Sequence, residues 1–130
     1  MNLLRIAFPI IFSMLLLAIP STSAADDKVS SATRTMAEIM INLHHYPSKA
    51  DKDKLKKVAA EATTSADEKA IAQALLNLKH KAADTDKPKL EAITKDATAP
   101  AAVKSLASIL LSLNHQPTDA DTAKLKQITK

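Results

Sequence analysis

Apolar residues fall in the same places three times along the chain. Met36, Ile39, Met40 and Leu43 stand at i, i+3, i+4 and i+7. Ile71, Ala74, Leu75 and Leu78 repeat the arrangement, and so do Leu106, Ile109, Leu110 and Leu113. This spacing lines one face of a 3.6-residue helix. A thinner stripe follows: Leu55, Val58, Ala59 and Ala62 in the first copy, Leu125 and Ile128 in the last. The offset between copies is 35 residues throughout, as Ile41, Leu76 and Leu111 show. A constant offset without insertions marks a repeat array. The pattern predicts an all-α fold of six helices in three tandem hairpins. These span residues 31–65, 66–99 and 100–130, stacked as a short α-solenoid or a compact helical bundle. Three is about the smallest such array, because a single hairpin cannot bury its own stripe.

Helix ends are marked as clearly as the stripes. Ser30 or Ser31 can cap the first helix, and Ser48, Ser65 and Thr118 can cap later ones. Asp51, Glu68 and Asp121 stand three residues after those caps, which is the capping-box spacing. Pro100 suits a helix start. Tyr46 precedes Pro47, so the first helix is expected to stop near His45. The middle copy has Ala82 where the others have Pro47 and Pro117. Its first helix is therefore expected to run on past His80. Pro88 fits the first turn of the next helix only if that helix starts one or two residues late, capped by Asp84 or Thr85 rather than Ala83. The period resembles tetratricopeptide and pentatricopeptide units in length. The tryptophan and glycine of the tetratricopeptide pattern do not occur, so no family is assigned.

The first 24 residues break the pattern. They carry one charged side chain, Arg5, then an apolar run from Ile6 to Ile19, Pro20 and a small-residue stretch. That order reads as a secretory signal peptide cleaved after Ala24, followed by a polar lead-in at residues 25–30. The apolar run is shorter than the ~20 residues a membrane span needs, so no stable membrane insertion is expected after cleavage. The expected location is exported, periplasmic or secreted.

Composition then removes whole classes of chemistry. Glycine and cysteine are absent, which excludes Gly-rich phosphate loops, thiolate nucleophiles and thiolate metal sites. Removing Arg5 from the 18 basic residues leaves 17 against 14 acidic ones. So mild an excess gives no reason to expect a nucleic-acid partner. Lys52, Lys54, Lys56 and Lys57 alternate with Asp51 and Asp53 and read as a solvated face.

Two polar residues recur with the repeat: His45, His80 and His115, and Asp51, Asp86 and Asp121. A helix C-terminus favours a cation and an N-terminus an anion. The pairs are therefore expected to clasp their own turns. Histidine is also the commonest metal ligand, which makes these six residues candidate metal ligands. Neighbouring helices pack ~8–10 Å apart, however, so equivalent histidines in stacked repeats should be too distant to share an ion. No metal is favoured on that ground, and no cofactor is expected. Met36, Met40 and His44 have copper(I)-site spacing, but their counterparts Ile71, Leu75, Lys79 and Leu106, Leu110, Asn114 mark the methionines as core filler.

Catalysis has no dedicated constellation, and the expected function is non-enzymatic. Ile41, Leu76 and Leu111 lie off the main stripe and leave apolar surface to pair. The favoured reading is an exported module binding an unknown protein or peptide, monomeric or weakly self-associating. The alternative is a periplasmic or secreted metal-binding protein using the recurring His and Asp positions.

Overall fold

The computed structural model describes residues 28–130. The expected leader at residues 1–24 lies outside them, as does the first half of the lead-in. The described residues form six helices and no strand: α1 (Ser31–Ile41), α2 (Lys49–Ala60), α3 (Ala66–Leu76), α4 (Lys87–Lys95), α5 (Ala101–Ser112) and α6 (Asp119–Ile128).

Most helix starts lie where the caps place them. Ser30 accepts from the Thr33 amide at 3.0 Å. Ser48 with Asp51, and Ser65 with Glu68, form reciprocal capping boxes. Thr118 accepts from the Asp121 amide at 3.1 Å. Each such cap satisfies an otherwise orphaned donor and is worth about 1 kcal/mol.

Helix ends differ from expectation. α1 stops at Ile41 rather than His45, and α3 stops at Leu76 instead of continuing past His80. Proline is therefore not what stops them. In all three repeats the next amides close with i→i−3 bonds, Leu43 to Met40, Leu78 to Leu75 and Leu113 to Leu110. The leucine then turns inward and is buried. Ala82 is buried 3% exposed, in the place held by the buried Pro47 of the first repeat. α4 begins later than expected, with Asp86 as its cap. The Asp86 and Lys87 amides both reach the Ala83 carbonyl, at 2.9 and 3.2 Å, in a tight turn. Pro88 has no amide to continue it, and regular pairing resumes when Leu90 bonds to Asp86. Ala62 lies beyond the end of α2 and is exposed, because Glu61 leaves the helix with extended backbone.

The broad stripes of α1, α3 and α5 form the centre of the core. Met36, Met40, Ile71, Leu75, Leu106 and Leu110 are wholly buried. So are Ala37, Ala72 and Ala107, one per repeat, whose small side chains let these three helices approach one another. α1, α3 and α5 all touch. The narrower stripes of α2, α4 and α6 cover them from outside through Leu55 and Val58, Leu90 and Ile93, Leu125 and Ile128. Each outer helix packs mainly on the next repeat: α2 on α3, α4 on α5, and α6 back on α1. The last contact closes the array. An open stack would leave α1 and α6 at opposite ends. Here they join, and the repeats are related by rotation about a common centre.

Candidate functional site

The turn after each inner helix has an unusual backbone. His45, His80 and His115 have φ of 65°, 66° and 70°. They are the positive-φ residues among those described. The amide after each histidine bonds to the carbonyl before it: Tyr46 to His44 at 2.7 Å, Lys81 to Lys79 at 2.7 Å, and Gln116 to Asn114 at 2.9 Å. A bond spanning two residues about a positive-φ centre is the strained form of the γ-turn. Holding a non-glycine residue in so sparsely populated a region costs on the order of 1–3 kcal/mol. The same strain is carried three times, by the same residue type, in a chain without glycine.

Closure of the ring offsets that cost. The His45 amide donates to the His115 carbonyl at 2.9 Å, His80 to His45 at 2.9 Å, and His115 to His80 at 2.6 Å. The three turns are thus joined in a cyclic set of backbone hydrogen bonds. Every histidine amide finds its partner in another repeat.

The same closure gathers the side chains. Ring centroids are 5.3, 5.0 and 4.9 Å apart, with interplanar angles of 69°, 90° and 65°. His115 Nδ1 lies 2.9 Å from His45 Nδ1 and 3.1 Å from His80 Nδ1. One ring nitrogen from each histidine lies within 4.8 Å of the other two, and all three residues are exposed. The separation of at least ~8–10 Å expected from helix spacing does not hold. That expectation assumed translation between repeats, whereas these residues sit close to the centre of a rotation.

The expected His–Asp clasp is not formed. Among the described residues, no hydrogen bond or ion pair joins His45, His80 or His115 to Asp51, Asp86 or Asp121. Asp51 closes the Ser48 capping box. Asp86 is buried and accepts from Asn77 Nδ2 at 3.0 Å. Asp121 supplies an amide to Thr118. The metal-competent group consists of the histidines alone. The methionine–histidine set does not assemble: Met36 and Met40 are wholly buried in the core, and His44 is exposed. Lys54, Lys56 and Lys57 are exposed as expected. Ile41, Leu76 and Leu111 are half-buried against the core.

A neutral imidazole nitrogen carries either one proton or one lone pair in the ring plane. His115 Nδ1 therefore cannot make two full hydrogen bonds, one to each neighbour. With protons on the other nitrogens, three lone pairs confront one another. A cation between them relieves that repulsion. Zinc–nitrogen bonds of ~2.0–2.1 Å set ligand nitrogens of a tetrahedral ion about 3.3 Å apart. Two of the three separations, 2.9 and 3.1 Å, are close to this value, and the third is within 4.8 Å. Imidazole donors suit zinc, copper and nickel. Three protein ligands on a four-coordinate ion leave one position for solvent or another ligand.

The other end of the inner helices shows a different arrangement at equivalent positions. Thr33, Glu68 and Val103 recur at the 35-residue offset, and all three are buried. Glu68 accepts from the hydroxyls of Thr33, at 2.7 Å, and of Ser30, while its other oxygen accepts from the Ser65 amide at 2.9 Å. Burial pushes its carboxyl up, but these donors together hold it below the ordinary glutamate value. The capping-box spacing identified the Ser65 contact. The bonds across to the first repeat gave no sequence signal, because they depend on how α1 and α3 are placed.

No protein-family model matches the chain, and no curated protein or solved structure is significantly similar to it.

Proposed function

We propose that the protein binds one divalent transition-metal ion of the zinc, copper or nickel class through His45, His80 and His115. The observation that carries this reading is the convergence of three ring nitrogens within 4.8 Å at the meeting point of the three turns. The repeated positive φ supports it. Strain retained three times over is a mark of a functional position rather than of an indifferent turn. Export, as expected from the leader, is compatible with a site that meets its metal outside the cytosol. Binding and presentation of the ion, without catalysis, is the activity we assign.

Titration of the metal-free full chain with zinc, nickel and copper(II), followed calorimetrically, tests the reading. The expected stoichiometry is one ion per chain, competing for the same site. Cobalt(II) should give the visible absorption of a four-coordinate nitrogen site. His80→Ala should weaken binding by at least ~100-fold. Absence of metal binding at micromolar concentration, or unchanged binding in His80→Ala, overturns the assignment.

The interaction-module reading keeps less support. The apolar surface that motivated it, at Ile41, Leu76 and Leu111, is already partly used in packing against the core.

A further inference from the structure

The histidine centre adjoins a groove with its own character. His80 belongs to both. The groove has a volume of about 880 Å³, and its walls include Tyr46, Lys52, Leu76, Asn77 and Lys79. That size is within the range of small-molecule sites, roughly 300–1,000 Å³. Its charged side chains are lysines, and no carboxylate lines it. Tyr46 is 59% exposed, with Lys52 Nζ 5.9 Å from its ring centroid. It is also the one aromatic residue among Phe, Tyr and Trp within residues 28–130. The other two repeats place Lys81 and Gln116 at this position. Thus the three histidine turns share one backbone, and the first alone adds an exposed aromatic face.

We propose that this groove and the open coordination position of the centre together take a small aromatic carboxylate. The proposal rests on the metal reading above. Three neutral imidazoles leave the charge of a divalent ion uncompensated, and an anion on the fourth position offsets it. Lys79 and Lys52 favour the same sign of charge along the groove. Tyr46 and the half-buried Leu76 provide a flat apolar surface for the body of the ligand. A carboxylate attached to a planar ring joins the two halves: charge at the metal and the lysines, ring on Tyr46. Neither half alone uses the whole site.

Benzoate, acetate, benzamide and inorganic phosphate, titrated by calorimetry into the zinc-loaded and the metal-free full chain, separate these contributions. Benzoate should bind the zinc-loaded protein about tenfold more tightly than acetate or benzamide, and more tightly than phosphate. It should bind the metal-free protein much more weakly. Tyr46→Ala should bring benzoate down to the affinity of acetate without altering zinc affinity. Lys79→Ala should weaken both carboxylates by a few-fold. If zinc binds but acetate and benzoate bind equally, or if Tyr46→Ala leaves benzoate unchanged, the carboxylate proposal fails and the metal reading stands. Phosphate binding as tightly as benzoate shows a generic anion position and also overturns it. If zinc does not bind at all, both proposals fall together.

Discussion

The two ends of the inner helices occupy equivalent places in three repeats and use them in opposite ways. At the N-terminal end the repeats hold three different residues, Thr33, Glu68 and Val103. The acid and the threonine satisfy each other, with Ser30 and Ser65 completing the set, and the valine brings no polar group. At the C-terminal end the repeats hold the same residue three times, His45, His80 and His115. Their nitrogens approach closely, yet they cannot all be satisfied by one another. Divergence that completes a hydrogen-bond network is what stability alone produces. Identity that leaves like groups facing each other, on strained backbone, is what the proposed metal ion would complete.

The comparison breaks most directly at the histidine end. Zinc at a hundred times its dissociation constant should stabilise the protein by about 2.7 kcal/mol. For a domain of this size that raises Tm by roughly 10 °C. In His80→Ala or His115→Ala the rise should disappear in thermal melts, with the metal-free melting point little changed. A rise that survives in both variants would place the ion elsewhere.

The opposite end should respond in the opposite sense. Glu68→Ala removes an acceptor from the buried Thr33 hydroxyl and half of a capping box. It should cost about 2–3 kcal/mol in denaturant unfolding while leaving zinc affinity as it was. Destabilisation below ~0.5 kcal/mol would show that the polar set at this end is dispensable.

A subtler test targets the backbone. His80→Gly permits φ of 66° without a Cβ clash. The metal-free protein should be unchanged or more stable by up to about 1 kcal/mol, although the variant loses a metal ligand. Histidine is thereby separated from the needs of the turn. Marked destabilisation would mean that the imidazole itself holds the turn.

The smallest effect concerns acid. Glu68 is held below its ordinary value in the folded chain. Its contribution is therefore fully present above the unfolded glutamate range, near ~4.3, and is lost as pH falls through the depressed folded value. Glu68→Gln should flatten stability against pH in that acid window and leave the neutral region unaltered in slope. An identical acid profile in both proteins would remove Glu68 from the account.

Much of the helical framework is legible in the amino-acid sequence. Stripe residues such as Met36, Ile71 and Leu106 are wholly buried, and the caps at Ser30, Ser48, Ser65 and Thr118 are occupied. These features depend on residues three or four apart, which a helix brings together whatever its surroundings. The turns were less legible. Proline at residues 47 and 117 suggested the stop signal, yet the middle repeat turns in the same way with Ala82. The stop depends on an inward leucine and on histidine amides that bond to other repeats, partners far away in the chain. Tyr46 stands out as the one Phe, Tyr or Trp within residues 28–130, but its groove exists only once repeats one and two are set side by side.

Short-range spacing along the chain sets the helices, where most of them begin, which faces they bury, and the recurrence of histidine at one point of every turn. Packing between distant repeats is what makes these points meet. Translation keeps equivalent residues about one helix spacing apart. Rotation brings them as close as their distance from the axis allows, and contact of α6 with α1 makes the relation a rotation. Local periodicity carries no information about that contact, which joins elements at opposite ends of the repeat region.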